Sequence, residues 1–342
     1  MKILFSSHAF YPNLGGLESV GMLLATEFAV AGYDVVVVTQ SLGNGKDPVL
    51  PFRIVRRPDA RTLLHLTIWS DIVYHHNISL QSAWPLLFVR RCWVVSHHGT
   101  QPRDLSLKGI KGSIKRIVLR YAIGIAVSKA VALNYETPCK VIANPYDDKI
   151  FQEIPGIARD KDLVFVGRFV SDKGLPILLE ALCSLRDRGL GPNLTVIGTG
   201  PEDKAWRELA KDMGLAEQVS FTGPLRGKNL ADQLNSHRIL VVPSLWNEPF
   251  GIVALEGIAC GCVVVGSEGG GLKEAIGRCG LTFPNGKADA LALCLEKALT
   301  DQKIVADFLA EAPDHLARHR PSDIARRYSS VFSESVECFR RR

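Results

Sequence analysis

Short apolar runs alternate with segments of helical periodicity along this chain, and the alternation limits what it can fold into. The run Asp34–Thr39 contains four consecutive valines, so both faces of a strand there would be apolar, as in a parallel sheet covered by helices. Leu17–Ala31 has a helical period and is followed by Gly32, which suits a helix C-cap. Strands that alternate with helices predict a doubly wound α/β sheet. The other predicted strands are Lys2–Ser6, Arg53–Arg56, Asp71–His75, Cys92–Ser96, Ile123–Val127, Lys140–Ala143, Leu163–Gly167, Leu194–Ile197, Val219–Gly223 and Ile239–Val242.

The length of the chain predicts two domains. A chain of 342 residues exceeds what one hydrophobic core usually organises. Residues 151–162 are polar and include Pro155-Gly156, so they are the predicted linker. Asp160 and Asp162 form the only Asp-x-Asp of the chain. The pair suits either a metal site or a solvated linker, and the linker is favoured because the pair precedes a strand.

Composition is that of a soluble globular protein, with 46% apolar and 22% charged residues. Residues 1–150 hold 17 Lys and Arg against 10 Asp and Glu, a net charge of +7, and residues 151–342 hold 24 against 25, a net charge of −1. Residues 108–120 interleave cations with apolar residues. That pattern suits either an anionic membrane surface or the solvated face of an ordinary helix. Binding to nucleic acid is not predicted, since no aromatic interleaving or binding module is present.

The cysteines and the start of the chain indicate a reducing compartment. The eight cysteines have no zinc or disulfide-scaffold spacing, and the close pair Cys260 and Cys262 suits core packing. No stretch of about 18 apolar residues suggests a membrane span. Lys2–Phe5 resembles a strand rather than a signal peptide. We therefore expect a cytoplasmic protein, peripheral on the inner face of the plasma membrane if the basic segment binds lipid.

Residues 244–274 carry the strongest functional signal. The apolar run that ends at Pro243 leads through a turn into a helical pattern that begins near Gly251. The start of such a helix favours an anion, because backbone N–H groups are unpaired there. Glu248 precedes this start and Glu256 follows eight residues later, so both carboxylates can point to one place. Carboxylates bind sugar hydroxyls well, and the arrangement fits a nucleotide-sugar.

These residues resemble the signature of family-4 retaining glycosyltransferases of the GT-B fold, also described as glycosyl transferases group 1. The resemblance rests on Glu-x7-Glu with Pro249-Phe250-Gly251 inside it, followed by Gly269-Gly270-Gly271. It implies two Rossmann-like domains that face each other across a cleft. Residues 1–150, with a C-terminal helix at about 323–342, would form the acceptor side. Residues 151–322 would bind the donor sugar nucleotide.

The resemblance also implies roles for single residues of the second domain. Glu248 and the backbone from Pro249 to Ile252 would contact the donor sugar and its phosphates, and Glu256 would bind the ribose. Gly167-Arg168, followed by Lys173 before the next helix, matches the family's phosphate-binding pair. Cations so placed stabilise a diphosphate leaving group. We therefore expect no metal and no cofactor.

In the first domain the candidate residues follow predicted strands. Gly15-Gly16 lies between a strand and a helix, where it serves either a tight turn or the close approach of a ligand. His98 occupies the place of the family's His-Gly element, whose histidine contacts the donor sugar, while a hydrogen-bonded structural histidine is the alternative. His75 and His76 are weaker candidates on the acceptor side. Asn144-Pro145-Tyr146-Asp147 resembles a family turn in which Pro145 replaces glycine.

The predicted function is retaining transfer of a hexosyl group from a nucleoside diphosphate sugar to an acceptor hydroxyl. The acceptor, lipid-linked or saccharide, would belong to the biosynthesis of a bacterial polysaccharide, lipopolysaccharide or glycoconjugate. The predicted catalytic residues are His98, Arg168, Lys173 and Glu248. Two alternatives stay open: a nucleotide-sugar epimerase of similar architecture, and a nucleotide-sugar-binding protein without turnover. Incubation with donor alone separates the epimerase from the transferase.

Overall fold

The chain forms two compact units in a computed structural model, which describes residues 1–13, 15–43, 49–99 and 110–341, and for 110–114 the backbone only. Unit 1 comprises Met1–Pro145 and Arg320–Arg342, and unit 2 comprises Tyr146–His319. In the basic segment 108–120, the first two residues and the side chains up to residue 114 therefore lie outside the described part. No helix of the described residues has the length and apolarity needed to span a membrane.

Unit 1 is built on a seven-stranded parallel sheet, with strand order β3-β2-β1-β4-β5-β6-β7. The strands are β1 Lys2–Ser7, β2 Asp34–Thr39, β3 Arg53–Arg56, β4 Ile72–His76, β5 Cys92–His97, β6 Ile123–Ala126 and β7 Cys139–Val141.

Helices cover this sheet because its strands are apolar on both faces. Strand β2 is buried from Val35 to Val38. The terminal helix packs on α1, and the Phe28 ring lies 5.2 Å from that of Phe332. The helices are α1 Gly16–Val30, α2 Ala60–Trp69, α3 Leu80–Ala83 with a 3₁₀ turn at Trp84–Leu87, α4 Ile110–Leu119, α5 Lys129–Ala132 and, from the C-terminus, α13 Pro321–Arg340.

Unit 2 has a six-stranded parallel sheet in the order β10-β9-β8-β11-β12-β13. One of its apolar cores gathers residues of strands β8, β9 and β11 with Trp206 and Leu295. The strands are β8 Lys161–Val166, β9 Leu194–Ile197, β10 Val219–Gly223, β11 His237–Val242, β12 Val263–Ser267 and β13 Gly280–Phe283. The helices are α6 Leu175–Asp187 after a 3₁₀ turn at Ser171–Lys173, α7 Asp203–Asp212, α8 Gly227–Ser236, α9 Ile252–Ala259, α10 Leu272–Ile276, α11 Ala288–Thr300 and α12 Gln302–Ala317.

One predicted linker segment is part of this sheet. Lys161 and Asp162 begin β8 rather than ending a linker. The Asp162 carboxylate accepts hydrogen bonds from the backbone and side-chain amides of Asn193 at 3.0 and 2.9 Å, and its other oxygen lies 3.4 Å from Arg238. Within the described residues no group of three metal-ligating side chains occurs. The Asp162 carboxylate therefore has a structural role near the amino end of β8, an interior strand of the sheet.

Candidate active site

The strand order of unit 2 reverses direction between β8 and β11. From β8 the chain proceeds to β9 and β10 on one side, and from β11 it proceeds to β12 and β13 on the other. In open parallel sheets ligands bind beyond the carboxyl ends of the strands at such a point. Gly167 and Arg168 follow β8 there, and the segment from Pro243 to Glu248 follows β11. The predicted donor residues of unit 2 therefore lie at the point where the sheet topology favours a ligand.

Lys173 and Glu248 form the central contact of this edge. The Lys173 Nζ atom lies 2.5 Å from Glu248 Oε1, which also accepts a hydrogen bond of 2.8 Å from the Ser244 hydroxyl. The same ammonium lies 5.5 Å from the centre of the Trp246 ring. Only about 10% of the Glu248 side chain and 25% of the Lys173 side chain are exposed. The sequence indicated both charged residues, but not that they pair directly.

The turn that carries Lys173 is fixed by Gly174. Its φ of 70° is left-handed, and a Cβ atom there would lie 1.9 Å from the Pro243 carbonyl oxygen, so only glycine fits. Asp172 accepts a hydrogen bond of 2.8 Å from the Leu245 amide. These contacts hold the loop after β8 against the loop after β11, and they explain why Lys173 reaches Glu248.

The glycine-rich loop after β12 holds Glu248 from the other side. The Glu248 backbone bridges to Gly270, and its carbonyl accepts a hydrogen bond of 2.7 Å from the Gly271 amide. Gly270 has a φ of 73°, and a Cβ atom there would lie 2.1 Å from the Glu248 oxygen. Asn285 adds a hydrogen bond of 2.9 Å from the Gly269 amide to its Oδ1 atom. Sequence reasoning missed Ser244 and Asn285, although both follow strand ends.

Helix α9 begins with unpaired backbone donors. Gly251 precedes it with a φ of 96°, and Phe250 anchors the segment because its side chain is buried. Among the described residues, no hydrogen-bond partner is found for the N–H groups of Ile252 and Val253, which are partly exposed. Such groups form a positively polarised anion site.

Glu256 lies one turn into α9. Burial, with the Asp147 carboxylate as a smaller cause, raises the pKa of Glu256 to about 7. The side chain forms no hydrogen bond or ion pair within the described parts of the chain. This carboxyl group is therefore available to hydroxyl groups of a ligand.

Arg168 differs from Lys173 in its surroundings. It is exposed, while the next residue, Phe169, is buried. No ion pair or hydrogen bond joins the Arg168 side chain to another described residue, although its backbone carbonyl accepts from the Val170 amide at 3.0 Å. The structure thus places the two predicted phosphate-binding cations after the same strand, one engaged with Glu248 and the other unpaired.

In unit 1 the predicted residues lie at two places, the loop before α1 and the carboxyl ends of β4 and β5. Gly15 precedes α1 with a φ of −161°, an extended conformation open to any residue, so positive φ is not the reason for a glycine here. A Cβ atom on Gly15 would instead lie 2.4 Å from Glu18 Oε2, the flexible end of a side chain. His98 lies at the carboxyl end of β5, near His76 of β4, with ring centres 4.1 Å apart.

A chain of hydrogen bonds connects these histidines. His76 Nε2 lies 2.9 Å from the Leu17 carbonyl, which can only accept, so its Nδ1 accepts from the Tyr74 hydroxyl at 3.2 Å. The Tyr74 oxygen lies 2.8 Å from Ser96 Oγ, which lies 2.8 Å from His98 Nε2, and Tyr328 also interacts with Tyr74 and Ser96. In the order in which Tyr74 donates to His76 and Ser96 donates to Tyr74, neutral His98 donates to Ser96 and is the Nε2–H tautomer. Tyr74 and Ser96 were not predicted as functional residues.

Burial keeps this cluster uncharged. It lowers the pKa of His75 to about 3 and those of His76 and His97 to about 4. The pKa of His98 is lowered well below its usual value, first by burial and then by His76 and His97. All four imidazoles are neutral at pH 7, so none acts there as a cation.

Two Rossmann-like parallel sheets, with polar residues gathered at the carboxyl ends of their strands, define the class as GT-B. Residues 147–315 match the model of the family described as glycosyl transferases group 1. The match spans 169 of the 342 residues, just under half of the chain, and this part of the chain is similar to that family of glycosyltransferases.

Relatives and solved structures agree with this assignment. A D-inositol 3-phosphate glycosyltransferase of Stackebrandtia nassauensis is 29% identical over 79% of this chain and 69% of its own length. A phosphatidyl-myo-inositol mannosyltransferase of Mycolicibacterium smegmatis is 27% identical over 93% of this chain and 90% of its own. Another relative, from Catenulispora acidiphila, is 34% identical, but the match spans only 48% of its length. Anabaena Alr3699/HepE in complex with UDP has a TM-score of 0.80 at 21% identity, covering 98% of this chain and 100% of that one. The predicted fold class is confirmed.

Proposed function

We propose that the protein transfers a hexosyl group from a nucleoside diphosphate sugar to an acceptor hydroxyl, with retention at the anomeric carbon. The observation that carries the proposal is the unpaired start of α9 beside the Lys173–Glu248 pair, at the reversal point of the unit 2 sheet. A diphosphate fits this place because backbone N–H groups and cations converge on it. The carboxylates of Glu248 and Glu256 flank it and suit hydroxyl groups of sugar and ribose.

The cationic and the acidic residues would have different roles in the reaction. Departure of the nucleoside diphosphate builds negative charge on its oxygens, which Arg168, Lys173 and the amides of Ile252 and Val253 would stabilise. Glu248 would orient a hydroxyl of the transferred sugar, with Gly167, Pro249 and Gly251 shaping the backbone around it. A phosphate oxygen of the leaving group would deprotonate the acceptor on the same face of the sugar, which gives retention.

In unit 1 the proposal assigns His98 and the Gly15-Gly16 loop to the sugar and phosphate end of the donor. His98 would contribute as a neutral imidazole and not as a cation. The chain from Leu17 to His98 supports this assignment, because Leu17 directly follows the Gly15-Gly16 loop.

The printed names of relatives and neighbours support the substrate classes. Two relatives are named for inositol-containing acceptors, and one structural neighbour was crystallised with UDP and glucose. We propose a sugar nucleotide donor and a polyol-containing acceptor in glycan or glycoconjugate biosynthesis. Activity without an added divalent metal ion is part of the proposal, since protein cations would neutralise the leaving group. A cytoplasmic location and lipid contact through residues 108–120 remain predictions.

Replacement of the two cations tests the proposal. We expect Arg168→Ala and Lys173→Ala each to lower kcat by about a hundredfold, if each acts as a preorganised transition-state donor. Arg188→Ala is the matched control, because Arg188 forms an exposed ion pair with Glu296 that adds little. Product formation is measured by mass spectrometry over a panel of sugar nucleotides and acceptors, with and without EDTA. Unchanged rates in both variants would contradict the phosphate assignment, and an epimerised donor in the absence of acceptor would favour the epimerase.

A further inference from the structure

The ammonium group of Lys173 has a second neighbour besides Glu248, the indole ring of Trp246. Lys173 Nζ lies 5.5 Å from the centre of that ring and 2.5 Å from Glu248 Oε1. A cation within about 6 Å of an indole centre is attracted by the negative face of the ring. Trp246 is 37% exposed, so part of its ring surface is in contact with solvent. The ammonium is therefore shared between a carboxylate and an aromatic ring.

Backbone hydrogen bonds hold the segment that carries Trp246. The Asn285 amide donates to the carbonyls of Leu245 and Trp246 at 3.3 and 3.2 Å, and its Oδ1 atom accepts from the Gly269 amide at 2.9 Å. The Leu245 amide donates to the Asp172 carbonyl at 2.8 Å. Loops that follow β8, β12 and β13 thus all contact this segment. The backbone that carries the indole is therefore fixed independently of the ammonium.

The proposed reaction requires Lys173 and Glu248 to separate. Glu248 would turn to a hydroxyl group of the donor sugar and Lys173 to the diphosphate, because a carboxylate and a phosphate repel each other. Lys173 then loses the one ion-pair partner that it has in the described part of the chain. A lysine ammonium lies on a flexible stem of four carbons, so the loss of this partner frees it to move. An indole has no lone pair that accepts hydrogen bonds, and its ring stays beside the ammonium throughout the exchange.

We propose that Trp246 is a positioning residue, which keeps the Lys173 ammonium in place while its N–H groups change from Glu248 to the diphosphate of the donor. A bound donor removes water from the exposed part of the ring, and a cation–π contact is stronger when water is excluded. The contact is therefore stronger in the donor complex than in the free chain, and it raises the affinity for the diphosphate. The inference rests on the proposed donor site of unit 2.

Fluorinated tryptophan at position 246 tests the electrostatic part of this contact. Fluorine withdraws electrons from the face of the indole and leaves its shape nearly unchanged, so the packing is retained while the attraction for a cation falls. Calorimetry of the full chain with UDP, GDP and ADP identifies the diphosphate that binds best, which is then the probe. We expect its Kd to rise stepwise as one, two and three fluorine atoms are introduced, by about fivefold in total.

Trp69 of unit 1 provides the matched control. Lys2 Nζ lies 5.6 Å from the centre of its ring, so the chain contains a second pair of the same chemistry and distance. The same fluorination at position 69 is expected to leave the Kd unchanged. A rise that occurs only at position 246 assigns the effect to this ring and not to the unnatural amino acid.

A double-mutant cycle shows whether Trp246 acts through Lys173. Trp246→Leu keeps an apolar side chain without a π face, and we expect it to raise the Kd about fivefold, with Trp246→Phe in between. In a Lys173→Ala background, Trp246→Leu is expected to change the Kd by less than about twofold, because the cation is already absent. An undiminished effect in that background would mean that the ring contacts the ligand directly, which overturns the inference.

The remaining outcomes separate the role of Trp246 from the donor site itself. Diphosphate binding with a Kd that is independent of fluorination at position 246 would overturn the positioning role and leave the donor site in place. If the parent binds none of UDP, GDP and ADP, the proposed donor site is contradicted, and the role of Trp246 falls with it. Circular dichroism checks the fold of each variant; if Trp246→Leu does not fold, the fluorinated chains carry the test.

Discussion

At the scale of single residues, the raised pKa of Glu256 predicts that donor binding depends on pH. Its pKa of about 7 means that the carboxyl group is largely protonated below pH 7 and ionised above it. Only the carboxylate offers both oxygens to ribose hydroxyl groups. We expect the affinity for a sugar nucleotide to fall several-fold as the pH drops from 8 to 6.

The Glu256→Gln variant separates this effect from others. An amide does not titrate, so the variant is expected to bind more weakly at pH 8 and with little dependence on pH. Glu274→Gln, also in unit 2, serves as the control and should keep the dependence of the parent. Isothermal titration calorimetry at pH 6, 7 and 8 measures the affinity for the sugar nucleotide. An equal change of affinity with pH in Glu256→Gln and the parent would remove Glu256 from the donor site.

The proton order from Leu17 to His98 leads to a second residue-scale prediction. Ser96→Ala removes the acceptor of His98 Nε2 and a donor to Tyr74. We expect kcat/KM to fall by about tenfold, since a buried donor is left unsatisfied. Ser96→Thr keeps a hydroxyl group and should restore most of the rate.

A spectroscopic measurement separates this positioning role from general damage. Nitrogen-15 NMR of the imidazoles is expected to show His98 as the Nε2–H tautomer in the parent and in Ser96→Thr, and a mixture in Ser96→Ala. A parent spectrum with the proton on Nδ1 would contradict the deduced order, whatever the activity.

At the scale of elements, the apolar runs predicted most strands well because burial on both faces leaves a clear pattern. β4 begins one residue later than expected, at Ile72, and β7 ends at Val141, since strand ends are set by neighbours rather than by pattern. Asp162 was placed in a linker, but its bonds to Asn193 and Arg238 depend on residues distant in sequence. The order of the strands could not be derived from the sequence for the same reason.

In the candidate site, too, some features were predictable from the sequence and others were not. Helix periodicity and Gly-Pro signals predicted the loop before α9, and therefore its unpaired donors. The Lys173–Glu248 pair could not be predicted, because it depends on Gly174 fitting against Pro243. Ser244, Trp246 and Asn285 left only a weak signal, namely a polar or aromatic residue after a strand.

The glycine-rich loop after β12 gives a prediction at this scale. Gly270→Ala would place a methyl group against the Glu248 carbonyl in a left-handed conformation, so the loop and Glu248 must move apart. We expect a loss of stability of about 1–3 kcal/mol and a fall in kcat of more than tenfold. Gly189→Ala is the matched control, because Gly189 has a φ of 81° but nothing within 4 Å of a Cβ atom. The Gly189→Ala variant should lose no more stability than Gly270→Ala and should keep its activity. Equal kcat in both variants would show that this loop does not position Glu248.

At the scale of the whole molecule, the two units differ in what the carboxyl edge of each sheet presents. Unit 2 offers cations, carboxylates and unpaired amides near one reversal point, whereas unit 1 offers neutral imidazoles and hydroxyl oxygens. The neutral imidazoles make the stability of unit 1 sensitive to acid.

The buried histidines fix the direction of that sensitivity. Their pKa values lie near 3 to 4 in the folded chain but near 6.5 when unfolded, so between these values the unfolded state binds more protons. Stability is then complete above about pH 6.5 and declines as the pH falls towards 4. Each histidine costs about 2 kcal/mol at pH 5.

Removal of one histidine should therefore reduce the acid sensitivity. His97 stacks on Tyr135 with ring centres 3.7 Å apart, and His97→Phe keeps an aromatic ring there without a titrating group. We expect its free energy of unfolding to decline less than that of the parent between pH 7.5 and pH 5, by about 2 kcal/mol. His65→Phe, at an exposed position, should decline as the parent does. Urea denaturation at the two pH values, followed by circular dichroism, measures the difference. Parallel declines in the parent and His97→Phe would mean that the folded chain does not lower the pKa of His97, contrary to its burial against Tyr135.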